Sequence, residues 1–262
     1  MIVLAIDSSA DLISVAVLQD RAPLAERSHK AARPRSEGVL ALVESVLADA
    51  EVALTAVDLF AVATGPGSFN GIRGGIATAE GLALALDRPV VGVPTLDAIA
   101  YAHIGRAPVL LAVLPAGRAD YYAASYDGNP GAWRRRGAYV VAPLDTALAG
   151  LAPDGMVALV CGSVSPDAQP LVAQAGLRRA PLFAELPRAL SVGALAMDQA
   201  SGGYADRDRP VEPLYLRRPG ITQPTRSTRF AATAGRATRA GVERTAETAL
   251  SVRSGVGAEK DA

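Results

Sequence analysis

Residues 65–75 read Gly65-Pro66-Gly67-Ser68-Phe69-Asn70-Gly71-Ile72-Arg73-Gly74-Gly75, so five glycines separate an apolar run at residues 59–63 from a helical run that continues to Leu86. This order predicts a strand, a glycine loop and a helix. Such a loop directs backbone N–H groups and the positive end of a helix dipole at one point. That geometry suits either a bound phosphate or a closely packed segment of the chain itself.

The segments before the glycine block predict an antiparallel hairpin that opens a mixed sheet. Residues 2–6 and 13–18 are short β-rich runs joined by the polar turn Asp7-Ser8-Ser9-Ala10-Asp11, and a third extended segment covers residues 22–29. Ser36-Glu37 then opens a run of helical period that reaches Ala50. The apolar band of this run is wider than one sheet face requires, so we expect a second surface to contact it.

The segments after the block continue the alternation of strands and helices and then repeat it. Residues 76–86 predict a helix rich in small residues, residues 89–93 a strand, and Thr95 the N-cap of a helix that runs to about His103. Further strands are predicted at residues 109–114, 121–126, 138–141 and 156–160. The sequence thus predicts an α/β protein with mixed sheets in two lobes, residues 1–105 and 106–218, and a disordered tail at 219–262.

Composition excludes several classes of site. The 262 residues are 50% hydrophobic and carry no net charge, which is typical of a globular protein and indicates no nucleic-acid-binding surface. With His29 and His103 as the only histidines and Cys161 as the only cysteine, neither an HExxH zinc helix nor a Cys/His cluster can form. We expect Cys161 to be buried. The N-terminal run lacks a basic region and predicts a first strand, hence a cytoplasmic protein.

The glycine block matches neither common phosphate-binding motif. A P-loop ends in Gly-Lys followed by Ser or Thr, whereas the nearby cation here is Arg73, two residues past Gly71. A dinucleotide-binding fingerprint spaces its glycines G-x-G-x-x-G, and Gly65, Gly67 and Gly71 have one residue too many between them. Anion binding and tight helix packing therefore both stay open.

Asp7-Ser8-Ser9 is a second candidate site. An aspartate followed by hydroxyl residues in a hairpin turn can hold hydrated Mg²⁺ and a phosphate, because hard cations prefer oxygen ligands. The alternative is that these side chains bond the backbone of their own turn. The candidate nucleotide-binding residues are Asp7, Ser8, Ser9, Gly65, Gly67 and Ser68.

Two weaker signals lie elsewhere. Ser68, Asp97 and His103 offer the residue types of a hydrolase triad, but the sequence around Ser68 lacks the Gly-x-Ser-x-Gly elbow. Trp133 is followed by three arginines at 134–136, which predicts a solvated strand edge rather than a nucleic-acid site.

Five motifs, taken in order, resemble the TsaB family, which is also called YeaZ. The match extends over residues 1–217, and the glycine block is its most specific part. The motifs are Leu4-Ala5-Ile6-Asp7-Ser8-Ser9, Ser36-Glu37, the block from Gly65 to Arg73, Gly92-Val93-Pro94-Thr95-Leu96 and Glu212-Pro213-Leu214-Tyr215-Leu216-Arg217.

The resemblance implies an actin-like, sugar-kinase-like fold of two related lobes. It also implies a part in forming the threonylcarbamoyl group on N6 of adenosine 37 in tRNAs that read ANN codons. In the family the catalytic subunit is the paralogue TsaD, which carries the metal-binding histidines, and the ATPase TsaE joins the assembly. ATP and Mg²⁺ are used by the complex. TsaB itself is the non-catalytic subunit that binds and stabilises TsaD, so no catalytic residue, cofactor or metal is implied for this chain.

The resemblance further implies that two helices form the partner interface. In the family, the helix after the Ser-Glu pair and the helix after the glycine block pack against TsaD, or against a second copy when TsaB is alone. We therefore expect partner contacts from Val39, Leu40, Val43, Val46, Leu47, Ile72, Ile76, Ala79 and Ala83.

The chain departs from the family pattern at three places, one of which is a tail after Arg218 that is longer than the pattern needs. The chain also reads Pro115-Ala116-Gly117 where members often have Asp-Ala-Arg, which removes a phosphate contact, and Arg35 replaces a common histidine. Two other functions stay open on the sequence. One is an ATPase or small-molecule kinase of the same fold that uses Asp7 and the glycine loop. The other is a glycopeptidase, which needs a metal or an activated nucleophile.

Overall fold

The computed structural model describes residues 1–30, 38–117, 119–152, 158–181, 188–202 and 210–217. All the described residues belong to one compact unit. The predictions for Arg35, Ser36, Glu37 and the tail lie outside the described residues. Within the described ranges, no helix is both long and apolar enough to cross a membrane.

The first sheet contains five strands. They are β1 (Ile2–Asp7), β2 (Leu12–Gln19), β3 (Ala22–Lys30), β4 (Leu59–Gly65) and β5 (Val90–Pro94), in the order β3-β2-β1-β4-β5. β1, β2 and β3 pair antiparallel as consecutive hairpins. β4 pairs in parallel with β1, and β5 pairs in parallel with β4. The predicted hairpin and mixed sheet are confirmed.

The second sheet repeats this arrangement. Its strands are β6 (Val109–Pro115), β7 (Asp120–Asp127), β8 (Arg134–Arg135), β9 (Val140–Pro143), β10 (Ala158–Gly162) and β11 (Arg178–Arg179). The order is β11-β10-β6-β7-β8, with β9 also paired to β7. β6 and β7 form an antiparallel hairpin, and β10 joins β6 in parallel. Cys161 on β10 is buried as predicted, and burial raises the pKa of its thiol to about 12.

Six helices cover the sheets in the part of the chain that the structure describes. α1 (Val39–Asp49) and α2 (Phe69–Leu86) pack on one face of the first sheet. α3 (Thr95–Tyr101) contacts strands of both sheets. α4 (Leu144–Leu151) and α5 (Gln169–Gln174) cover the far face of the second sheet, and α6 is Ala189–Ser201.

α6 returns to the first sheet, although the sequence-based boundary at residue 106 assigns it to the second lobe. Val192, Leu195 and Ala196 are buried in the same cluster as Val3 and Ala5 of β1. The described chain therefore leaves the first lobe before β6 and returns to it at α6.

α2 begins earlier than the sequence predicts. It starts at Phe69 rather than Ile76, and the Ser68 side chain caps it by accepting from Gly71 N–H. Gly71, Gly74 and Gly75 are thus helical, because tertiary contacts override their low helix propensity. Thr95 is likewise the first residue of α3, and Pro94 holds the N-cap position because β5 runs directly into the helix.

Arg134, Arg135 and Arg136 lie at an edge of the second sheet, as expected. Arg134 and Arg136 both pair with Asp127, and this pairing, chiefly the hydrogen bond from Arg134, lowers the pKa of the Asp127 carboxyl group. Trp133 is not solvated in the same way, because it stacks on Tyr126 at 5.8 Å between ring centroids. The basic run is thus partly neutralised, which fits the prediction of an exposed strand edge.

The N-terminus of α6 is capped by side chains from the first sheet. The Ser14 hydroxyl accepts from the N–H groups of Arg188 and Ala189 at 3.2 Å each. Glu26 on β3 accepts from Leu190 N–H at 3.3 Å. Burial raises the pKa of Glu26 to about 7, and the hydrogen bond from Leu190 offsets part of that rise.

Glu26→Gln is expected to remove a pH dependence of stability. The folded-state pKa of Glu26 lies above its ordinary value of 4.5, so the folded chain binds the extra proton and wild-type stability falls as pH rises from about 4.5 to 7. Water reaches part of the carboxyl group, so we expect a loss of about 1–2 kcal/mol. Urea unfolding at pH 5 and pH 8 measures it. Equal pH dependence in wild type and variant would contradict the assignment.

Candidate functional site

The end of β1 lies directly against the start of α2. Ser68 N–H donates to the Ser9 carbonyl oxygen at 2.6 Å, and the Ser8 hydroxyl donates to the Gly71 carbonyl oxygen at 2.8 Å. Ser8 and Ser9 are buried, and Gly65 ends β4, the strand beside β1. The structure therefore brings together the residues that the sequence indicates as a nucleotide site.

The glycines of the block make room for this contact. A Cβ atom on Gly71 would lie 2.0 Å from the Ser8 carbonyl oxygen, and one on Gly67 would lie 2.1 Å from the Ser9 carbonyl oxygen. Gly75 is similar, with 2.3 Å to the Ser8 hydroxyl. The space that an anion would need at Ser68 N–H is filled by the chain itself. Of the two interpretations left open by the sequence, the contacts favour close packing.

Asp7 accepts hydrogen bonds at Oδ1 and forms an ion pair, without hydrogen-bond geometry, at Oδ2. It is 1% exposed, and its Oδ1 accepts from the Ser9 N–H at 2.9 Å and from the Ser9 hydroxyl at 2.6 Å. Its Oδ2 lies 2.7 Å from Nε of Arg188, whose side chain is 12% exposed. A guanidinium group thus neutralises the carboxylate that Mg²⁺ would have to bind. These residues do not fit the magnesium site suggested by the sequence.

A cleft of about 650 Å³ lies beside this contact, between the two lobes. Ser9, Ser68 and Arg188 line one side, and residues 115–117, in the turn from β6 to β7, line the other. Among the described residues, no group of three or more His, Cys, Asp or Glu side chains could hold a metal ion. The cleft has room for a small molecule, and the charged side chains of its lining are those of Asp11, Lys30 and Arg188.

The hydrolase triad suggested by residue types gains no support. Asp97 accepts from the Tyr126 and Tyr139 hydroxyl groups at 2.7 and 2.8 Å, and burial raises the pKa of its carboxyl group. Burial also lowers the pKa of His103. Ser68 is the N-cap of α2. The two tyrosines show that Asp97 is a structural acceptor rather than the partner of a catalytic histidine.

The chain is similar to known proteins in both sequence and structure. A family model described as TsaD, tRNA N6-adenosine threonylcarbamoyltransferase, matches residues 28–138. An uncharacterized protein of Mycobacterium tuberculosis is 34% identical over 224 residues, covering 83% of this chain and 92% of the relative. The tRNA threonylcarbamoyladenosine biosynthesis protein TsaB of Escherichia coli is 34% identical over 136 residues, covering 51% of this chain and 58% of that protein. The structure of YeaZ from Pseudomonas aeruginosa shares 28% identity, with a TM-score of 0.68, and covers 82% of this chain and 99% of that one.

The chain belongs to the TsaB (YeaZ) family. Its fold is the actin-like fold that the resemblance implies, with two related lobes built on mixed α/β sheets.

Most of the residues predicted at the TsaB partner interface lie in the core of this chain. All of them except Leu40 are between 0% and 8% exposed, and they form one apolar cluster with β1, β2 and β4. The first sheet and α2 thus cover the wide apolar band of α1. Burial prevents the following from contacting a partner in this conformation: Val39, Val43, Val46, Leu47, Ile72, Ile76, Ala79 and Ala83.

The opposite faces of the same two helices are exposed. We call this surface the α1–α2 outer face; it comprises Leu40, Ala41, Glu44 and Ala48 of α1 and Gly74, Ala77, Gly81, Leu84 and Ala85 of α2. Leu40 is 54% and Leu84 85% exposed. A Cβ atom on Gly74 or Gly81 would meet nothing within 4 Å. The sequence signal for this face was the spacing of small residues at 74, 77, 81 and 85, which matches one side of a helix.

Proposed function

We propose that this TsaB-family chain is the non-catalytic subunit that binds and stabilises TsaD, with TsaE joining the assembly, in the formation of threonylcarbamoyladenosine at position 37 of tRNAs that read ANN codons. The observation that carries the docking part is the α1–α2 outer face. The biosynthetic role rests on family membership and on the name of the E. coli relative. On this proposal the chain acts in the cytoplasm, where its tRNA substrate is.

The contacts of the candidate nucleotide-binding residues support a subunit without its own chemistry. Asp7 is neutralised by Arg188, and the glycine block is filled by the carbonyl groups of Ser8 and Ser9. His29 and His103 are the only histidines, and they lie on β3 and just beyond α3. The metal-binding histidines that the resemblance assigns to TsaD have no counterpart cluster among the described residues.

The outer face of α2 suits a partner helix. Small side chains at Gly74, Ala77 and Gly81 let a second helix axis approach closely, and interaxial distances near 8 Å require such residues. Leu84 projects beside them and supplies an apolar side chain that is costly to leave in water. An interface of usual size buries roughly 800 Å² on each partner, an area that the two helices could provide together. A second copy of the chain is the expected occupant when TsaD is absent.

Gly81→Arg is expected to weaken TsaD binding at least about tenfold, because a long side chain would separate the two helices at their closest approach. The fold should survive, since nothing lies within 4 Å of that position and arginine is a better helix former than glycine. Titration calorimetry with purified TsaD measures the affinity. Ala149→Arg, on an exposed position of α4, is the matched control and should bind like wild type. Equal affinity for both variants would contradict the docking face.

The biosynthetic role is tested by depletion. Cells depleted of this protein should lose threonylcarbamoyladenosine from tRNA, and the wild-type chain should restore it, as measured by chromatography and mass spectrometry of tRNA nucleosides. A normal level of the modified nucleoside after depletion would refute the role.

One observation favours a second function, an ATPase or small-molecule kinase. The interlobe cleft is large enough for a small molecule, and the charged residues Asp11, Lys30 and Arg188 lie in its lining. Hydrolysis and binding of ATP by the purified chain decide between the two proposals. Turnover with micromolar affinity would support the enzyme, and absence of both would support the non-catalytic subunit.

A further inference from the structure

Residues 210–217, which we call the C-terminal strap, run along α2 from Glu80 back to Phe69. Val211 N–H donates to the Glu80 carboxylate at 2.9 Å, and Leu214 N–H donates to the Thr64 carbonyl oxygen at 2.8 Å. The Tyr215 ring packs against Phe69 with 5.2 Å between ring centroids. The strap therefore holds the end of β4 and the first turn of α2.

The last residues of the strap bind the second lobe. Arg217 donates to the Ala116 carbonyl oxygen at 3.1 Å and pairs with the Asp120 carboxylate. These two residues flank the turn from β6 to β7, and Ala116 lines the interlobe cleft. Leu216 packs against the core of the second lobe. One short segment thus bridges both sides of the cleft.

The segment of the strap between its contacts with the two lobes is short. Leu214 and Arg217 are three positions apart, and a chain of that length spans at most about 10 Å. Movement of the β6–β7 turn away from α2 must therefore break the contacts of Arg217 or those of Leu214. Because Tyr215 packs on Phe69 at the same point, such a movement would also release the N-terminal turn of α2, which leads into the α1–α2 outer face.

We propose that the strap couples the opening of the interlobe cleft to the position of α2, and through it to the α1–α2 outer face. The strap keeps the lobes closed and the start of α2 fixed, and a partner on the outer face in turn favours the closed cleft, since coupling between two sites is reciprocal. The effect on partner affinity rests on the proposed function, whereas the effect on lobe closure is a property of the chain alone.

Spin-label distances test the lobe closure directly. Ala22→Cys on β3 and Ala149→Cys on α4 place exposed labels on the two lobes, and Cys161 is buried and should stay unlabelled. Arg217→Ala in this background should broaden the distance distribution of the free chain and weaken TsaD binding about fivefold or more. Arg134→Ala removes an arginine whose ion pair with Asp127 lies within the second lobe, and it should change neither.

Two results would overturn the coupling. One is an unchanged distance distribution in Arg217→Ala, and the other is a broadened distribution with wild-type affinity for TsaD. A wild-type chain that fails to bind TsaD would instead refute the proposed function. Thermal melts check that Arg217→Ala is folded, and Arg217→Lys, which keeps the cation, should restore part of both effects.

Discussion

Gly71→Ala is expected to lower the free energy of unfolding by about 3 kcal/mol or more, whereas Gly74→Ala in the same helix should raise it by about 0.5–1 kcal/mol. The difference follows from what each new methyl group meets. At Gly71 it would lie 2.0 Å from the backbone oxygen of Ser8, which cannot rotate away, and at Gly74 nothing lies within 4 Å. β1 and α2 would have to separate to admit the first methyl group.

Chemical unfolding of the two variants beside wild type measures the difference. Gly81→Ala, also in α2 and also without a neighbour within 4 Å, is a second control that should behave like Gly74→Ala. If Gly71→Ala were as stable as the controls, the β1 end would not be packed into the glycine block. The block would then be open to a ligand, as its sequence first suggests.

Asp7→Asn is expected to cost about 3 kcal/mol of stability, because it leaves the guanidinium of Arg188 nearly buried without a counter-charge. The amide keeps an oxygen that can accept from Ser9, so the loss isolates the ion pair. Arg188→Met should cost a similar amount by stranding the carboxylate. The double variant Asp7→Asn/Arg188→Met should lose much less than the sum of the two single losses, since neither charge is then left unpaired.

Urea denaturation of the four proteins gives the coupling energy. Strictly additive losses would show that the two side chains do not depend on each other. Magnesium offers an independent check, because an ion that binds the folded state raises the melting temperature. Millimolar Mg²⁺ should leave the melting temperature of wild type unchanged. A rise that disappears in Asp7→Asn would assign Asp7 to a metal site instead.

Strand positions and the mixed topology followed from the sequence because local patterns determine them. Short β-rich runs around the turn at 7–11 predicted the hairpin of β1 and β2, and the repeated alternation after Pro108 predicted the second sheet. Burial of Cys161 followed from the apolar run before it. Each of these depends on neighbours within a few residues.

The start of α2 could not be predicted in the same way. Gly71, Gly74 and Gly75 are poor helix formers, so the local pattern predicts a loop. The close contact of Ser8 requires glycine at positions 71 and 75, and no local pattern reveals that contact. The ion-pair partner of Asp7 could not be predicted either, because that contact is also long-range. Arg188 is far away in the sequence, and no spacing rule connects it to the end of β1.

The residues predicted at the partner interface, except Leu40, are buried in the chain's own core. Val43, Ala79 and their neighbours are the most apolar residues of α1 and α2, and apolar residues are the first to be buried in a chain's own core. Small residues such as Gly74 and Gly81 carry a weak hydrophobic signal, so composition alone does not mark them as a surface. Proposing them as a docking face requires knowing which side of α2 the sheet covers.

Reconstituted tRNA modification tests most directly whether the chain is a docking subunit without catalysis. TsaD, TsaE, ATP, a threonylcarbamoyl donor and tRNA are combined with the wild-type chain, the Gly81→Arg chain or the Asp7→Asn/Arg188→Met chain, and threonylcarbamoyladenosine is quantified. A docking subunit without catalysis predicts modification with wild type and with the folded double variant, and strongly reduced modification with Gly81→Arg. Loss of modification in a double variant that still binds TsaD, together with full modification by Gly81→Arg, would contradict it.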